Sequence, residues 1–279
     1  MRFIKMQATG NDYVYVDTDE EEVKDPASLA RAVSAPHFGI GGDGLVLYGL
    51  KYGKGIMRIF NKDGSEGKIC GNALRAVAKI LYESGKMPGE KFIVSTASGE
   101  REVVCNPAGK KVISVTVCMG APDFSASSLP MCAVGEKAVD YPVFLEGKCY
   151  FLTCLSVGNP HAVTFVKSVH AVDVVAVGNA ISASGLFPQG VNVEFAELTA
   201  GGALCRVFER GSGETLSCGS GACAVAAALL IKKEYASATR VTVEMPGGTL
   251  SVERVDGKLY LTGPAEEVFR GEYRTPFPI

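Results

Sequence analysis

The sequence predicts an α+β fold of two pseudo-symmetric homologous halves, each a mostly antiparallel, barrel-like β-sheet wrapped around a central α-helix. Three observations carry that reading: an internal repeat at one fixed offset, short strand-like runs bounded by Gly and Asn turns, and one Ala-rich helical stretch per half. Arg58 to Leu81 reads R-I-F-N-K-D-G-S-E-G-K-I-C-G-N-A-L-R-A-V-A-K-I-L, and Arg206 to Leu229 reads R-V-F-E-R-G-S-G-E-T-L-S-C-G-S-G-A-C-A-V-A-A-A-L. The offset is constant, 206 − 58 = 148 and 218 − 70 = 148, so Arg58, Phe60, Glu66, Cys70 and Gly71 fall on Arg206, Phe208, Glu214, Cys218 and Gly219. Upstream it places Phe3, Gly10 and Asn11 on Phe151, Gly158 and Asn159, and downstream Gly99 on Gly247. A gapless match of that length marks a duplication, and a duplicated domain commonly puts its single site where the two copies meet.

The elements follow from local pattern. Met57 to Asn61 and Val112 to Cys118 alternate as half-buried strands do. A helix starts just after Cys70 and another just after Cys218, and they run to about Ser84 and Tyr235; their apolar, Ala-rich faces suit burial inside a curved sheet. The expected halves are residues 1–119 and 120–263.

Composition narrows the function classes. With 47% hydrophobic and 21% charged residues the chain can bury one large core or two ordinary ones. Lys plus Arg total 28 against 30 for Asp plus Glu, so no net field favours a nucleic acid or an anionic membrane. No segment reaches the roughly 18 uninterrupted apolar residues that a spanning helix requires. The expectation is a soluble, cytoplasmic protein with a small-molecule ligand. Nine cysteines, an odd number in a chain this long, read as reduced thiols, and His37, His161 and His170 have no zinc-ligand spacing. Cys105, Cys118, Cys132, Cys149, Cys154 and Cys205 lie in or beside apolar or strand-like stretches and read as small core residues, as does Cys223.

Gly39-Ile40-Gly41-Gly42-Asp43-Gly44 satisfies the dinucleotide pattern G-x-G-x-x-G, with Asp63 about twenty residues on. Its context is wrong. That motif follows a strand and opens a helix, whereas here the helix-like Ser28 to Ala35 precedes it and the strand-like Leu45 to Tyr48 follows. A glycine turn at the rim of a site is the better reading.

The repeat singles out two cysteines of the nine. Cys70 and Cys218 each precede a glycine and then a helix, where unpaired backbone N–H groups and a macrodipole contribution of about 0.3–1 kcal/mol, up to roughly 2 when partly buried, favour thiolate. Two such groups facing one small site would share a proton, giving one thiolate and one thiol. That pair suits inversion at a carbon acid: one sulfur removes the α-proton and the other protonates the opposite face. The N–H groups at Gly71, Asn72, Gly219 and Ser220 are placed to stabilise the carboxylate of the reacting centre, so neither a metal nor another cofactor is needed. The bland alternative is a pair of buried small residues kept in both copies, but these lie in glycine-rich turns near Asn61, Asn72, Glu209 and Arg210, not in apolar runs.

At these residues the sequence resembles the diaminopimelate epimerases over nearly its whole length. The resemblance rests on G-N-D at Gly10 to Asp12, D-G-S-E…C-G-N…R from Asp63 to Arg75, G-N-P-H at Gly158 to His161, and E-R-G-S-G-E-T-L-S-C-G-S-G-A-C-A from Glu209 to Ala224. It implies that Cys70 and Cys218 are the catalytic residues of an enzyme interconverting LL- and meso-diaminopimelate, with His161 and Glu209 tuning their protonation. It implies further that Gly71-Asn72 and Gly219-Ser220 hold the reacting carboxylate, and that Asn61, Asn159, Asn192 and Arg210, with Asn11 beside them and Glu209 adjoining, bind the distal amino-acid group. On the residues alone, His161 reads equally as a hydrogen-bonded turn residue. The resemblance also implies a homodimer with Phe269 at its interface and a C-terminal segment, 264–279, returning to the first half. Ala73 and Gly44 depart from the pattern, which has a second glycine and, in some members, a substrate-contacting glutamine. Two rivals remain open: a proline or hydroxyproline racemase using the same thiols, and a non-catalytic amino-acid-binding or thiol redox protein. Against the first, a substrate with no polar far end would leave the Arg210 and asparagine groups unpaired, at about 1–3 kcal/mol each if buried.

Overall fold

The computed structural model describes residues 1–132, 135–145, 147–232, 235 and 237–274, and among them it contains eighteen strands and four α-helices. The chain divides into two compact units: one comprises Met1–Cys118 with the described residues from Thr262 on, the other Met119–Leu261. Residues 275–279 of the expected returning segment lie outside the described residues.

In the first unit, β1 (Arg2–Ala8) and β2 (Asn11–Asp17) form a hairpin whose turn needs Gly10 at φ 85°, a left-handed conformation that a Cβ disfavours. Helix α1 (Pro26–Ser34) crosses over to β3 (Gly44–Lys51), which pairs parallel with β2, as a crossover connection requires. It starts at Asp25, whose carboxylate accepts from the Ser28 N–H, and Pro26 takes the first helical position, where no N–H is needed. Strand β4 (Lys54–Asn61) is antiparallel to β3, and the short β5 (Glu66–Gly67) pairs back on it before α2 (Gly71–Glu83). β6 (Lys91–Thr96), β7 (Gly99–Ala108) and β8 (Lys111–Gly120) complete the set, β6 running parallel to β4.

In the second unit β9 (Tyr141–Leu145) comes first, and the order then repeats from β10 (Lys148–Ser156): β11 (Pro160–Phe165), α3 (Val174–Ser182), β12 (Asn192–Thr199), β13 (Gly202–Glu209), β14 (Gly213–Thr215), α4 (Gly219–Leu230), β15 (Arg240–Met245) and β16 (Gly248–Val255). β17 (Lys258–Gly263) leads out of it, and β18 (Glu266–Glu272) pairs antiparallel with β1. The 148-residue offset holds at the level of register. Val14↔Leu45 and Leu45↔Phe60 become Ala162↔Val193 and Val193↔Phe208, and the parallel β4/β6 pair becomes β13/β15. Even the surface Arg58–Glu66 pair, 2.8 Å, recurs as Arg206–Glu214, 2.7 Å. Most pairings are antiparallel, as expected.

Each unit packs its strands around one buried helix: α2 against β1, β2, β3, β4 and β7, and α4 against β10–β13, β15 and β16. Helix α4 is apolar on every side, as a wholly enclosed helix must be. Helix α2 differs from the expected apolar stripe, because Arg75 and Lys79 are buried on it. Arg75 donates to the Pro264 carbonyl (3.2 Å) and to Thr9 Oγ1 (3.4 Å), and Lys79 to the Val112 carbonyl (2.5 Å), so the charges are met by oxygens of a surrounding strand and of two connections between strands. Helix α4 stops at Leu230, short of the expected Tyr235. The Lys232 N–H bonds back to the Leu229 carbonyl, three residues away, which tightens the last turn without any helix-breaking residue to announce it. Of the cysteines read as core, Cys105, Cys154, Cys205 and Cys223 are buried, but Cys132 and Cys149 are exposed. Among the described residues no helix is long and apolar enough to cross a membrane.

Candidate active site

Cys70 and Cys218 are the N-cap residues of α2 and α4. Each has extended backbone (φ −139°, ψ 116° and φ −129°, ψ 113°), and each sulfur accepts from the N–H three residues on: Ala73 at 3.5 Å and Gly221 at 3.4 Å. A thiol thus occupies the position that Ser, Asp or Asn usually fills, and it is held at the positive end of a buried helix. Gly71, Asn72, Gly219 and Ser220 form the first turns, whose N–H groups precede the first intrahelical bonds at Leu74 and Ala222.

Around Cys218, within the second unit, the polar groups are acidic. Glu209, at the end of β13, accepts from the Thr215 hydroxyl at 2.5 Å and from the Cys218 thiol. Burial raises Glu209 above the usual carboxylate range, and those two hydrogen bonds pull it back down. Cys218 is pushed well above the ordinary thiol value, first by burial and then by the charges of Glu209 and Glu194; the Ser220 hydroxyl, 3.4 Å away, and the Gly221 N–H oppose this. The helix-start expectation of a favoured thiolate therefore does not hold at Cys218. The N–H contribution is present with the expected sign, but desolvation and two neighbouring carboxylates outweigh it.

Glu194 is a residue of this cluster that the sequence did not single out. It lies in β12, is fully buried, and accepts from or donates to His161 Nδ1 at 2.7 Å through Oε1, while its Oε2 has no hydrogen-bond partner. His161 Nε2 faces Asn159 Oδ1 at 3.0 Å, so the buried Glu194 and His161 and the half-buried Asn159 form one chain. A Cβ on Gly221 would stand 2.8 Å from Glu194 Oε1, so the glycine lets this carboxylate reach the start of α4. The signal was a lone charge in the apolar run Val191-Asn192-Val193-Glu194-Phe195-Ala196: a carboxylate there must have a partner. His161 is no simple turn residue either, being fully buried on β11.

Asn192 pairs with His161 across β11 and β12, and its Oδ1 accepts from the Arg210 N–H at 2.8 Å. The Arg210 guanidinium is exposed and donates to the Gln189 carbonyl at 2.9 Å. In the first unit, Asn61 is exposed at the end of β4, opposite Gly44, and donates to Ser65 Oγ at 2.9 Å. The cost assigned above to leaving these groups unpaired therefore does not apply to Arg210 or Asn61, which water can reach. Asn11 accepts from the Cys70 thiol at 3.5 Å through Oδ1. At Gly44 a Cβ would lie 2.0 Å from the Phe60 carbonyl oxygen and 2.8 Å from the Tyr13 ring, so this backbone has no room for the glutamine expected in some members. The glycine run Gly39–Gly44 follows α1 and enters β3, so it does not open a helix as the dinucleotide motif does. Phe269, on β18, is 45% exposed and meets Phe3 edge-on at 5.8 Å.

The model of the diaminopimelate epimerase family matches residues 3–125 and 153–268. A diaminopimelate epimerase of Moorella thermoacetica is 42% identical over 278 residues, covering 98% of this chain and 99% of that protein. One from Methanococcus maripaludis strain C6 is 39% identical over 276 residues, with the same coverage. Among solved structures, the hydroxyproline epimerase of Agrobacterium vitis with bound trans-4-hydroxy-L-proline superposes with a TM-score of 0.70 over 97% of this chain and 90% of its own, at 14% identity, a likeness of fold. The chain belongs to the diaminopimelate epimerase family.

Proposed function

We infer that this chain is a diaminopimelate epimerase, an isomerase of lysine biosynthesis that interconverts the LL and meso forms by moving the α-proton with Cys70 and Cys218. The observation that carries this is the identical placement of two thiols as N-caps of the two buried helices, within a chain whose relatives bear that name. One sulfur, as thiolate, takes the α-proton; the C–H electron pair passes into the adjacent carboxylate; the other thiol gives its proton to the opposite face. Reversal exchanges their parts. The first-turn N–H groups at Gly71, Asn72, Gly219 and Ser220 bind the carboxylate that carries the developing charge, a task that needs no cofactor. Glu209 receives the Cys218 proton, and His161, held by Glu194, supplies a second titratable group. Asn11, Asn61, Asn159, Asn192 and Arg210 bind the distal amino-acid group, the guanidinium fork matching its carboxylate. We assign the enzyme to the cytoplasm as a homodimer, with the exposed Phe269 at the contact; neither a nucleic acid nor a membrane is a partner.

The test is exchange of the α-proton in D2O with LL-diaminopimelate and with L-proline. Deuterium enters diaminopimelate and not proline; exchange with proline alone would overturn the substrate. Cys70→Ala and Cys218→Ala each abolish epimerisation, and unchanged turnover in both would eliminate the two-thiol reading in favour of a binding protein.

A further inference from the structure

The glycine run Gly39–Gly44 has a product other than a phosphate cradle: it delivers one carboxylate to Asn11, the residue that meets the first unit's cysteine. Asp43 Oδ2 accepts from Asn11 Nδ2 at 2.6 Å and from the Asp12 N–H at 3.0 Å. The Asp43 N–H donates to the Asp12 carbonyl at 2.7 Å, which ties the loop to β2. The buried Lys5 ammonium clamps the same loop, bonding the Gly41 carbonyl and the Asp12 carboxylate. A Cβ on Gly42 would meet the Asp12 carbonyl at 3.0 Å, so the glycine permits the close approach. The other end of the Asn11 amide, Oδ1, accepts from Cys70 Sγ at 3.5 Å.

We propose that Asp43 is a positioning residue that fixes which end of the Asn11 amide faces Cys70. This rests on the reading of Cys70 as a proton-transfer group. An amide presents an acceptor at one end and a donor at the other, and a half-turn exchanges them. An ionised carboxylate only accepts, so with Asp43 at one end the NH2 must point to it and the oxygen must point to the sulfur. An acceptor at the sulfur favours S–H, whereas an NH2 there would favour S⁻. Asp43 therefore sets, through Asn11, how firmly Cys70 keeps its proton between turnovers. The charged and titratable groups around this chain are Lys5 on β1, Asp12, Tyr13 and Tyr15 on β2, and Arg75 on α2. The second unit solves the same problem differently. Asn159, the repeat counterpart of Asn11, has its oxygen facing His161, which Glu194 holds, and the counterpart of Asp43 is Val191. The fold does not require an acid at Asp43; this half of the site does.

The experiment is iodoacetamide alkylation of the full-length protein across pH, read peptide by peptide for Cys70 and Cys218, in wild type, Asp43→Ala and Asp43→Asn. Asn at this position offers Oδ1 to the same two N–H groups and keeps Asn11 in place without the charge. Asp43→Ala shifts the Cys70 profile to lower pH, by about tenfold in rate near neutrality for a one-unit change, while Cys218 is unmoved and Asp43→Asn tracks wild type. Equal shifts in both variants would assign the effect to charge and overturn the proposal. So would an unchanged Cys70 profile in Asp43→Ala, or parallel shifts at both cysteines, which report general loosening. The alkylation readout needs no substrate, so an error in the assigned reaction would appear in the exchange assay and not here.

Discussion

Replacing Glu209 by Gln removes the group that, on the proposed mechanism, accepts the Cys218 proton and that also adds its charge to the environment of that thiol. The two effects oppose each other. Without the carboxylate, one of the causes that push Cys218 upward is gone, so its thiol ionises more easily. Yet the proton loses its acceptor, and a positioned general base is worth about 10²–10⁴ in rate, or about 2.7–5.4 kcal/mol at 1.36 kcal/mol per tenfold. The second effect wins, because activation of the thiol during turnover is the larger contribution. Epimerisation falls by about two to four orders of magnitude, while Cys218 alkylates faster than in wild type at the same pH. Stability moves the other way from activity. Glu209 has its folded pKa raised by burial, so the folded state keeps a proton that the unfolded chain releases, and stability falls as pH rises from about 4.5 to the folded value. Glutamine has no such loss, so the variant melts at or above the wild-type temperature at pH 7. Paired measurements of kcat/KM, peptide-resolved alkylation and thermal melting decide it. Turnover within threefold of wild type, or slower Cys218 alkylation, would refute the assignment of Glu209 as the acceptor.

Thr215→Val removes the 2.5 Å hydrogen bond that holds Glu209 down, so the acidic limb of the kcat/KM profile moves to higher pH; a move to lower pH contradicts this sign. Glu194→Gln lowers the pKa of Cys218, since Glu194 raises it, and peptide-resolved alkylation reads the shift. Gly44→Gln, the residue of some family members, costs stability by the roughly 1–3 kcal/mol of overpacking because its Cβ meets the Phe60 carbonyl; a variant with unchanged urea midpoint and lower KM would show that the loop adjusts. At alkaline pH the buried thiols destabilise the fold. Burial pushes Cys105 and Cys154 up to about 12, so the native state holds protons that the unfolded chain loses above about 9, and urea midpoints decline between pH 9 and 12; Cys154→Val makes that decline shallower.

The repeat made much of this molecule legible. Because the offset of 148 carries β3, β4, α1 and the start of α2 onto β12, β13, α3 and the start of α4 at the same bounds, one alignment of the chain with itself yields the elements and both N-cap cysteines. What it concealed lies where the copies differ. Glu194 falls on Val46, His161 on Tyr13, Glu209 on Asn61 and Asp43 on Val191, so a method that looks for identity passes over the titratable residues that lie near the thiols. The resemblance supplied His161 and Glu209; Glu194 and Asp43 came only from the coordinates, through hydrogen bonds between residues 33 and 32 positions apart. The sign of the shift at Cys218 was out of reach for a related reason. A helix start can be read from sequence, but the depth of burial that overrides it cannot.

That override bears on how such a pair works. A helix N-terminus offers a thiolate about 0.3–1 kcal/mol, and if that were the dominant influence Cys218 would rest ionised. It is buried beside Glu209 and Glu194 instead, which favours the thiol. The same burial raises Glu209, and a carboxylate raised in this way is a stronger base than one in water. The environment that makes the thiol reluctant thus also strengthens the carboxylate proposed to deprotonate it, so the rise at the base offsets part of the larger rise at the thiol. On this account the thiolate at Cys218 is made during turnover and not stored. The groups that break the symmetry of the repeat give the two sulfurs different neighbours, Glu209 beside Cys218 and the Asp43-held Asn11 beside Cys70, so that on the proposed mechanism the two thiols need not ionise together.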